Sequence, residues 1–300
     1  MFLRAITVSV KSARKLALNK RIMFRSHSVN FKLKFLLIFL FAVSLRQFRG
    51  IFQVDTLRHC PLAVSRHGYD ARRSYKIFIG AGTRNYLVMA KHLVSSLEER
   101  STRLVNHSSG VYILTSEQAL GDCMRTFRSM HAKCVRSTPQ FQQRGSHRDV
   151  YNKFDATSHS ETEDWIVYLD ADVVVLEELY SVLVSIPSSY LVIGVKNFPL
   201  MKRFLFGEEA WGINGGFLVY NKRIVDEQRH AIQKMMEKGI NDQIIWSWLF
   251  YQYRRRRGSC LLDETYNCRL NTHRLCHKRA KVAHYSSTAK RALYYFLKSN

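Results

Sequence analysis

From residue 75 onward, short dense apolar runs alternate with stretches of helical spacing. YKIFIG (75–80) has the length and composition of a buried strand, and YLVMAKHLVSSLEE after it has the spacing of an amphipathic helix. VYILT (111–115) and SEQALGDCMRTF repeat that pair, and WIVYLD (165–170) followed by LEELYSVLV repeats it again. YLVIGV (190–195) and GFLVY (216–220) are further strand candidates. From Lys222 to Lys238 the residues Ile224, Ala231, Ile232, Met235 and Met236 share one face, and the pattern stops at Gly239, which predicts one helix with a glycine cap. Residues 136–148 are polar and read as a loop. Strands alternating with helices predict an α/β domain over residues 74–300 with a mostly parallel sheet, in which ligands bind at the carboxyl ends of the strands.

The first 73 residues follow a different rule. Residues 1–34 form a basic tail, 35–48 contain the apolar run FLLIFLFAVSL, and 49–73 lack periodicity and suit a stem. That run is short against the ~20 residues of a membrane span, unless it extends back to Phe31 with Lys32 and Lys34 snorkelling. Nine Lys and Arg precede Phe35, so a signal-anchor here would leave the N-terminus cytosolic and the bulk of the chain lumenal. A signal peptide with a long basic region, or a mitochondrial presequence, is the alternative for the same acid-free residues.

Charge and composition narrow the class. The chain has 300 residues, is 46% hydrophobic and carries a formal charge of +24, which is too apolar for a disordered polycation. Eleven of the basic residues lie in 1–54, where there is no acid, leaving +13 on the remainder. RRRR (254–257) is the one charge block, and no nucleic-acid-binding motif accompanies it. Six cysteines, at 60, 123, 134, 260, 268 and 276, are compatible with lumenal disulfides of undeducible pairing, or with free buried thiols. Asn106-His107-Ser108 is the only glycosylation sequon.

Asp170 and Asp172 stand at the carboxyl end of WIVYL, spaced so that both side chains can converge on one ion. Hard oxygen donors with room for phosphate suit Mg²⁺ or Mn²⁺, although aspartates are also ordinary at a solvated strand end. INGG (213–216) sets Asn214 and two glycines where the next strand begins, as a tight turn or as a place where backbone approaches a ligand. Asn241 is placed to cap a helix whose first turn holds Asp242 and Gln243. VAHYSSTAK (282–290) begins like a short strand and then offers His284, which alone reads more often as a packed side chain than as a ligand, and, in a following loop, Lys290, whose company points to an anion site.

Taken in order, these segments resemble the GT-A nucleotide-sugar glycosyltransferases, in particular glycosyltransferase family 8, which includes glycogenin and bacterial galactosyltransferases. The resemblance covers about residues 75–291 and runs through Asn85-Tyr86, Lys153, YLDADVVVLEEL, NGGFLVYN, Asp242-Gln243, LDETYNCR (262–269) and His284…Lys290. It implies Asp170, Asp172 and His284 as ligands of Mn²⁺ or Mg²⁺, and a UDP-sugar donor. It further implies Asn85 and Tyr86 at the uridine, Ala171 beside the nucleotide, Lys153 near the donor sugar and Lys290 on the diphosphate. Asn214 and Gly215 would lie at the sugar, and Asp242 and Gln243 near the anomeric carbon, with transfer proceeding with retention to a glycan, protein or lipid acceptor. Three positions depart from the family pattern: Ser287 replaces a glycine, Arg291-Ala292 replace Pro-Trp, and Ile244 replaces the last acid of Asp-Gln-Asp. The resemblance favours a Golgi or ER type II membrane protein over the mitochondrial address. The rival readings are a haloacid-dehalogenase-type phosphohydrolase, which shares the DxD, and an inactive glycosyltransferase-like binding protein. No downstream acidic pair supports the first.

Overall fold

The computed structural model describes residues 59–61, 73–138, 152–161, 164–196, 212–254, 258–270, 276–286 and 288–299. The basic tail, the apolar run, most of the stem, residues 255–257 and Ser287 lie outside them. Among the described residues, no helix is long and apolar enough to cross a membrane.

The described residues form ten strands: β1 (Tyr75–Gly80), β2 (Ser108–Thr115), β3 (Ala132–Arg136), β4 (Trp165–Asp170), β5 (Val173–Val175), β6 (Val192–Lys196), β7 (Ile213–Asn221), β8 (Ser259–Leu262), β9 (Cys268–Arg269) and β10 (Val282–His284). The main sheet has seven of them in the order β3-β2-β1-β4-β7-β6-β8, and β5, β10 and β9 form a second, small sheet. In the main sheet only β7 runs against its neighbours; the other pairings are parallel. Alternate residues of the central strands feed opposite faces. Ile77, Ile79, Val167, Leu169 and Phe217 pack with the helix α1 (Arg84–Arg100), while Phe78, Ile166, Tyr168, Leu218 and Tyr220 pack on the other side. Both faces are covered, which is why these strands read as continuous apolar runs rather than as alternations.

The remaining helices are α2 (Thr102–His107), α3 (Glu117–Thr126), α4 (Asn152–Asp155), α5 (Tyr180–Ser185), α6 (Arg223–Glu227), α7 (Arg229–Glu237), α8 (Asp242–Arg254) and α9 (Thr288–Ser299). Three sequence expectations are corrected. The helix expected to be continuous from Lys222 to Lys238 is two, broken at Gln228, whose backbone leaves helical geometry at φ −105 and ψ 11. The helix expected from Leu176 starts at Tyr180, because the Leu176 amide donates to the Lys281 carbonyl at 2.8 Å and so continues the β5–β10 ladder. Lys290, expected in a loop, sits in the first turn of α9. The stop at Gly239 is as expected: its φ of +69° is the left-handed cap, with the Ile240 amide reaching back to the Met235 carbonyl. Asn241 then opens α8, its Oδ1 accepting from the Gln243 amide at 2.9 Å.

All six cysteines are paired, as Cys60–Cys260, Cys123–Cys134 and Cys268–Cys276. The first extends the sheet edge. Residues of the expected stem reach β8, where His59 bridges Leu261 and the Cys60 amide donates to the Leu261 carbonyl at 2.8 Å. Asn106, in α2, is exposed.

Glu178 fastens the segment after β5 to the end of α1. Its carboxylate accepts from the Ser101 hydroxyl at 2.9 Å, the Arg103 amide at 3.0 Å and the Tyr180 amide at 2.9 Å, so it caps both α2 and α5. Partial burial opposes ionisation, yet these donors hold the carboxyl below its ordinary value of 4.5. A depressed carboxylate contributes stability above its unfolded value and loses it as pH falls through the folded one. Glu178→Ala is therefore expected to cost about 1–2 kcal/mol in urea unfolding at pH 7, with the gap to wild type closing progressively below pH 4.5. A pH-independent gap would contradict this account.

Candidate active site

The carboxyl ends of β1 and β4 lie side by side, with Gly80 in register with Asp170. A cleft of about 310 Å³ opens there. It is lined by Tyr86, Lys153, Asp170, Ala171, Asp172, Asn214, Gly215, Asp242, Gln243, His284 and Lys290, all expected site residues. Gly80, Gly82, Tyr168, Asn241 and Arg269 complete the lining. Asn85 is exposed outside this lining, where its Oδ1 accepts from the Tyr294 hydroxyl at 3.0 Å.

Asp172 and His284 are 112 positions apart, and the small sheet joins them. β5 follows the DxD directly and pairs antiparallel with β10, which sets His284 opposite Val173. The Tyr285 amide adds a bond to the Asp172 carbonyl at 2.8 Å. His284 Nε2 thereby comes to 3.6 Å from Asp172 Oδ1, and one ligand atom each from Asp170, Asp172 and His284 falls within 4.8 Å of the others. Two carboxylates and an imidazole, two of the three residues buried, are a suitable donor set for a hard divalent cation. Burial pushes the Asp170 carboxyl up against the pull of Lys153, and the neighbouring Asp172 charge pushes the same way. A cation between the two acids would relieve that repulsion. The described residues thus fit a metal ion.

Asp172 behaves differently. Burial alone would raise its carboxyl, but the contact with His284 and the Lys290 ammonium 2.7 Å away bring it down to about 2. Lys290 also donates to the Tyr86 hydroxyl at 3.1 Å and lies 4.7 Å over its ring, so α9 and the start of α1 are clamped at this corner. Burial disfavours its charge, and Asp172 and Tyr86 more than restore it, leaving Lys290 raised.

Across the cleft, Lys153 Nζ bridges Asp170 at 3.3 Å and Asp242 at 2.8 Å. Burial opposes its charge, and the two carboxylates overcome that and hold the ammonium well above its ordinary value. The pair is braced by its neighbours. Phe154 stacks on Trp246 of α8 at 4.6 Å, and the Tyr220 hydroxyl donates to the Lys153 carbonyl.

The INGG segment lies inside β7 rather than before it, so its glycines do not make the tight turn considered from the sequence. They make room. A Cβ on Gly215 would lie 2.7 Å from Lys153 Cε, and one on Gly216 would lie 2.6 Å from both Cε1 and Nδ1 of His284. Asn214 locks the segment by accepting from the Gly216 amide at 2.8 Å. Sequence reasoning missed Arg269, which no local pattern marks: it sits on a two-residue strand, half-buried, its Nε 3.4 Å from the Ser286 hydroxyl.

Lys153 is the only group that ties Asp242 to Asp170 in the described cleft, and both acids depend on it for charge balance. Lys153→Met, which keeps the apolar stem, is expected to lower unfolding free energy by about 3 kcal/mol at neutral pH by leaving buried carboxylates uncompensated. Thermal or urea unfolding of the variant measures this; unchanged stability would mean the cluster is solvated rather than paired.

No protein-family model matches the chain, and no curated protein is similar to it in sequence. Solved structures are similar. Galactosyltransferase LgtC, solved with donor and acceptor sugar analogues, has 15% identity over 75% of this chain and 95% of its own, with a TM-score of 0.51. Mouse xyloside xylosyltransferase 1 has 13% identity over 72% of this chain and 98% of its own, with a TM-score of 0.52. The bifunctional glycosyltransferase WbbM has 15% identity over 78% of this chain and 48% of its own, with a TM-score of 0.52. At such identities the likeness speaks for the fold, and the described residues from 73 onward have the GT-A fold.

Proposed function

We propose that the chain is a metal-dependent glycosyltransferase that moves a sugar from a UDP-sugar to a glycan, protein or lipid acceptor. One observation carries this reading: Asp170, Asp172 and His284 converge within 4.8 Å in a GT-A cleft, with Lys290 2.7 Å from Asp172. Bound there, Mn²⁺ or Mg²⁺ would supply Lewis-acid charge to the diphosphate leaving group. Asp170, Asp172 and His284 would hold it. Lys290, on the first turn of α9, would pair with a phosphate oxygen and match the charge that develops as the glycosidic bond breaks. Tyr86, fixed by Lys290, would face the nucleoside, and Ala171 would leave space beside it. Asn214, Gly215 and Lys153 would position the donor sugar.

Asp242 and Gln243 would stand near the anomeric carbon, and retention follows from the family resemblance. Lys153 holds the Asp242 carboxylate in a fixed orientation. Nothing in the site favours the phosphohydrolase alternative, because the third acid, Asp242, belongs to the Lys153 pair rather than to the metal group. The paired cysteines support an oxidising compartment and hence the signal-anchor orientation, with the domain lumenal in the Golgi or ER.

The assay uses the full-length chain with Mn²⁺ and a panel of UDP-sugars, followed by transfer or slow donor hydrolysis. Wild type is expected to turn over at least one donor and to lose activity on chelation. Asp172→Ala, which deletes a metal ligand and the partner of Lys290, is expected to lower the rate by at least 100-fold, on the order of 3 kcal/mol. Binding of UDP-sugars without turnover would point instead to an inactive binding protein, and no binding to any of them would sink the assignment. The address is tested separately. In sealed microsomes the domain is expected to resist protease until detergent is added, and digestion without detergent would reverse the orientation.

A further inference from the structure

We infer that Asn267 is a positioning residue that holds the His284 imidazole in the tautomer whose Nε2 can bind a metal. The inference rests on the metal-dependent reading above and assigns a role to a residue that lies behind the cleft. Asn267 Oδ1 is 2.9 Å from His284 Nδ1, and both side chains are buried, at 4% and 7% exposure. A carbonyl oxygen can only accept, so this contact requires the proton on Nδ1. In the neutral ring Nε2 is then left with its lone pair although it faces the Asp172 carboxylate, which by itself would draw the proton to Nε2; the Asn267 contact is what opposes that pull.

The opposite amide orientation would have the Asn267 Nδ2 donate to Nδ1. The proton would move to Nε2, where it would point at the carboxylates and occupy the place of a metal. The observed orientation leaves Nδ2 buried without a hydrogen-bond partner among the described residues. That costs free energy, and the arrangement is sensible where a lone pair at Nε2 is what the site needs.

The surroundings leave the ring few alternatives. Gly216 lies so close beneath it that a Cβ there would come within 2.6 Å of Cε1 and Nδ1. β9 is aligned with β10, with His284 in register with Arg269 and Ala283 with Cys268, and the Leu270 amide donates to the His284 carbonyl at 3.2 Å. Asn267 enters that pairing directly before Cys268, which the Cys268–Cys276 disulfide anchors. Gly216 therefore sets the plane of the ring and Asn267 sets its proton.

Two measurements on the full-length chain test this. Long-range ¹H–¹⁵N spectra of the metal-free protein at pH 8.5 are expected to show His284 as the Nδ1-protonated tautomer in wild type, and to lose that preference in Asn267→Leu. Mn²⁺ titration by calorimetry is expected to show binding weakened about 10- to 100-fold in Asn267→Leu, the range for removing an outer-shell partner of a metal-bound histidine. Asn267→Asp, which keeps an acceptor at the same point, is expected to bind within threefold of wild type. An Nε2-protonated ring in metal-free wild type, a loss below fivefold in Asn267→Leu, or an equal loss in both variants would overturn the inference. Should Asn267→Leu not fold, Asn267→Asp decides alone: it must keep the tautomer and the affinity. A wild type that takes up no Mn²⁺ would overturn the transferase reading and this inference together, whereas normal wild-type binding with both variants unaffected removes only this one.

Discussion

The constraint on which the site depends is charge balance at the end of one strand. Asp170 and Asp172 stand one residue apart where β4 leaves the sheet, in surroundings that disfavour isolated charge. The cleft they share holds three carboxylates, those of Asp170, Asp172 and Asp242, and three side chains that carry fixed positive charge, Lys153, Lys290 and Arg269. These fixed charges cancel. A divalent ion on Asp170, Asp172 and His284 would tip the cleft to positive, which is the condition for receiving a diphosphate. The cations already present are spread unevenly. Lys290 takes Asp172, and Lys153 is shared by Asp170 and Asp242. Asp170 is the carboxylate left least satisfied, and it is the one that stands to gain most from an ion.

Bringing those charges together is the work of elements too short to be stable alone. The ladder between β5 and β10 is three residues long, yet it carries His284 across 112 positions to Asp172. The larger sheet supplies rigidity by burying alternate residues of β1, β4 and β7 in two cores. Backbone without side chains then lets the charged groups in: Lys153 and His284 each lie where a Cβ on Gly215 or Gly216 would stand. The Phe154–Trp246 stack keeps α8 at the distance that the Lys153–Asp242 pair requires.

Much of this was legible in the sequence wherever one segment carried its own signal. The central strands declare themselves as apolar runs because helices cover both of their faces. The DxD declares itself because alternation at a strand end sends both carboxylates one way, and Gly239 because a left-handed cap favours glycine. What escaped depends on partners distant in the chain. The edge strand β3 and the short β8 and β9 have too few residues for a period to show. The break at Gln228 interrupts an unbroken amphipathic pattern, and Lys290 reads as loop because the apolar face of α9 becomes visible only beyond it. Arg269 and Asn267 matter solely because β9 lies beside β10, and no spacing within LDETYNCR announces that.

The disulfides answer a problem created by this architecture. β9 is two residues long and β8 four, and backbone pairing alone orders so short a segment weakly. Cys268–Cys276 closes β9 onto the 3₁₀ turn that leads into β10, and Cys60–Cys260 lays residues 59–61 along β8. Both bonds restrict the unfolded chain as well, the second by joining residues 200 positions apart. Asn267, which ends the turn directly before β9, and Arg269, within it, therefore owe their positions partly to a covalent bond and only partly to packing. Because the strand behind His284 is fastened in this way, the geometry of the cleft depends on those cysteines remaining oxidised.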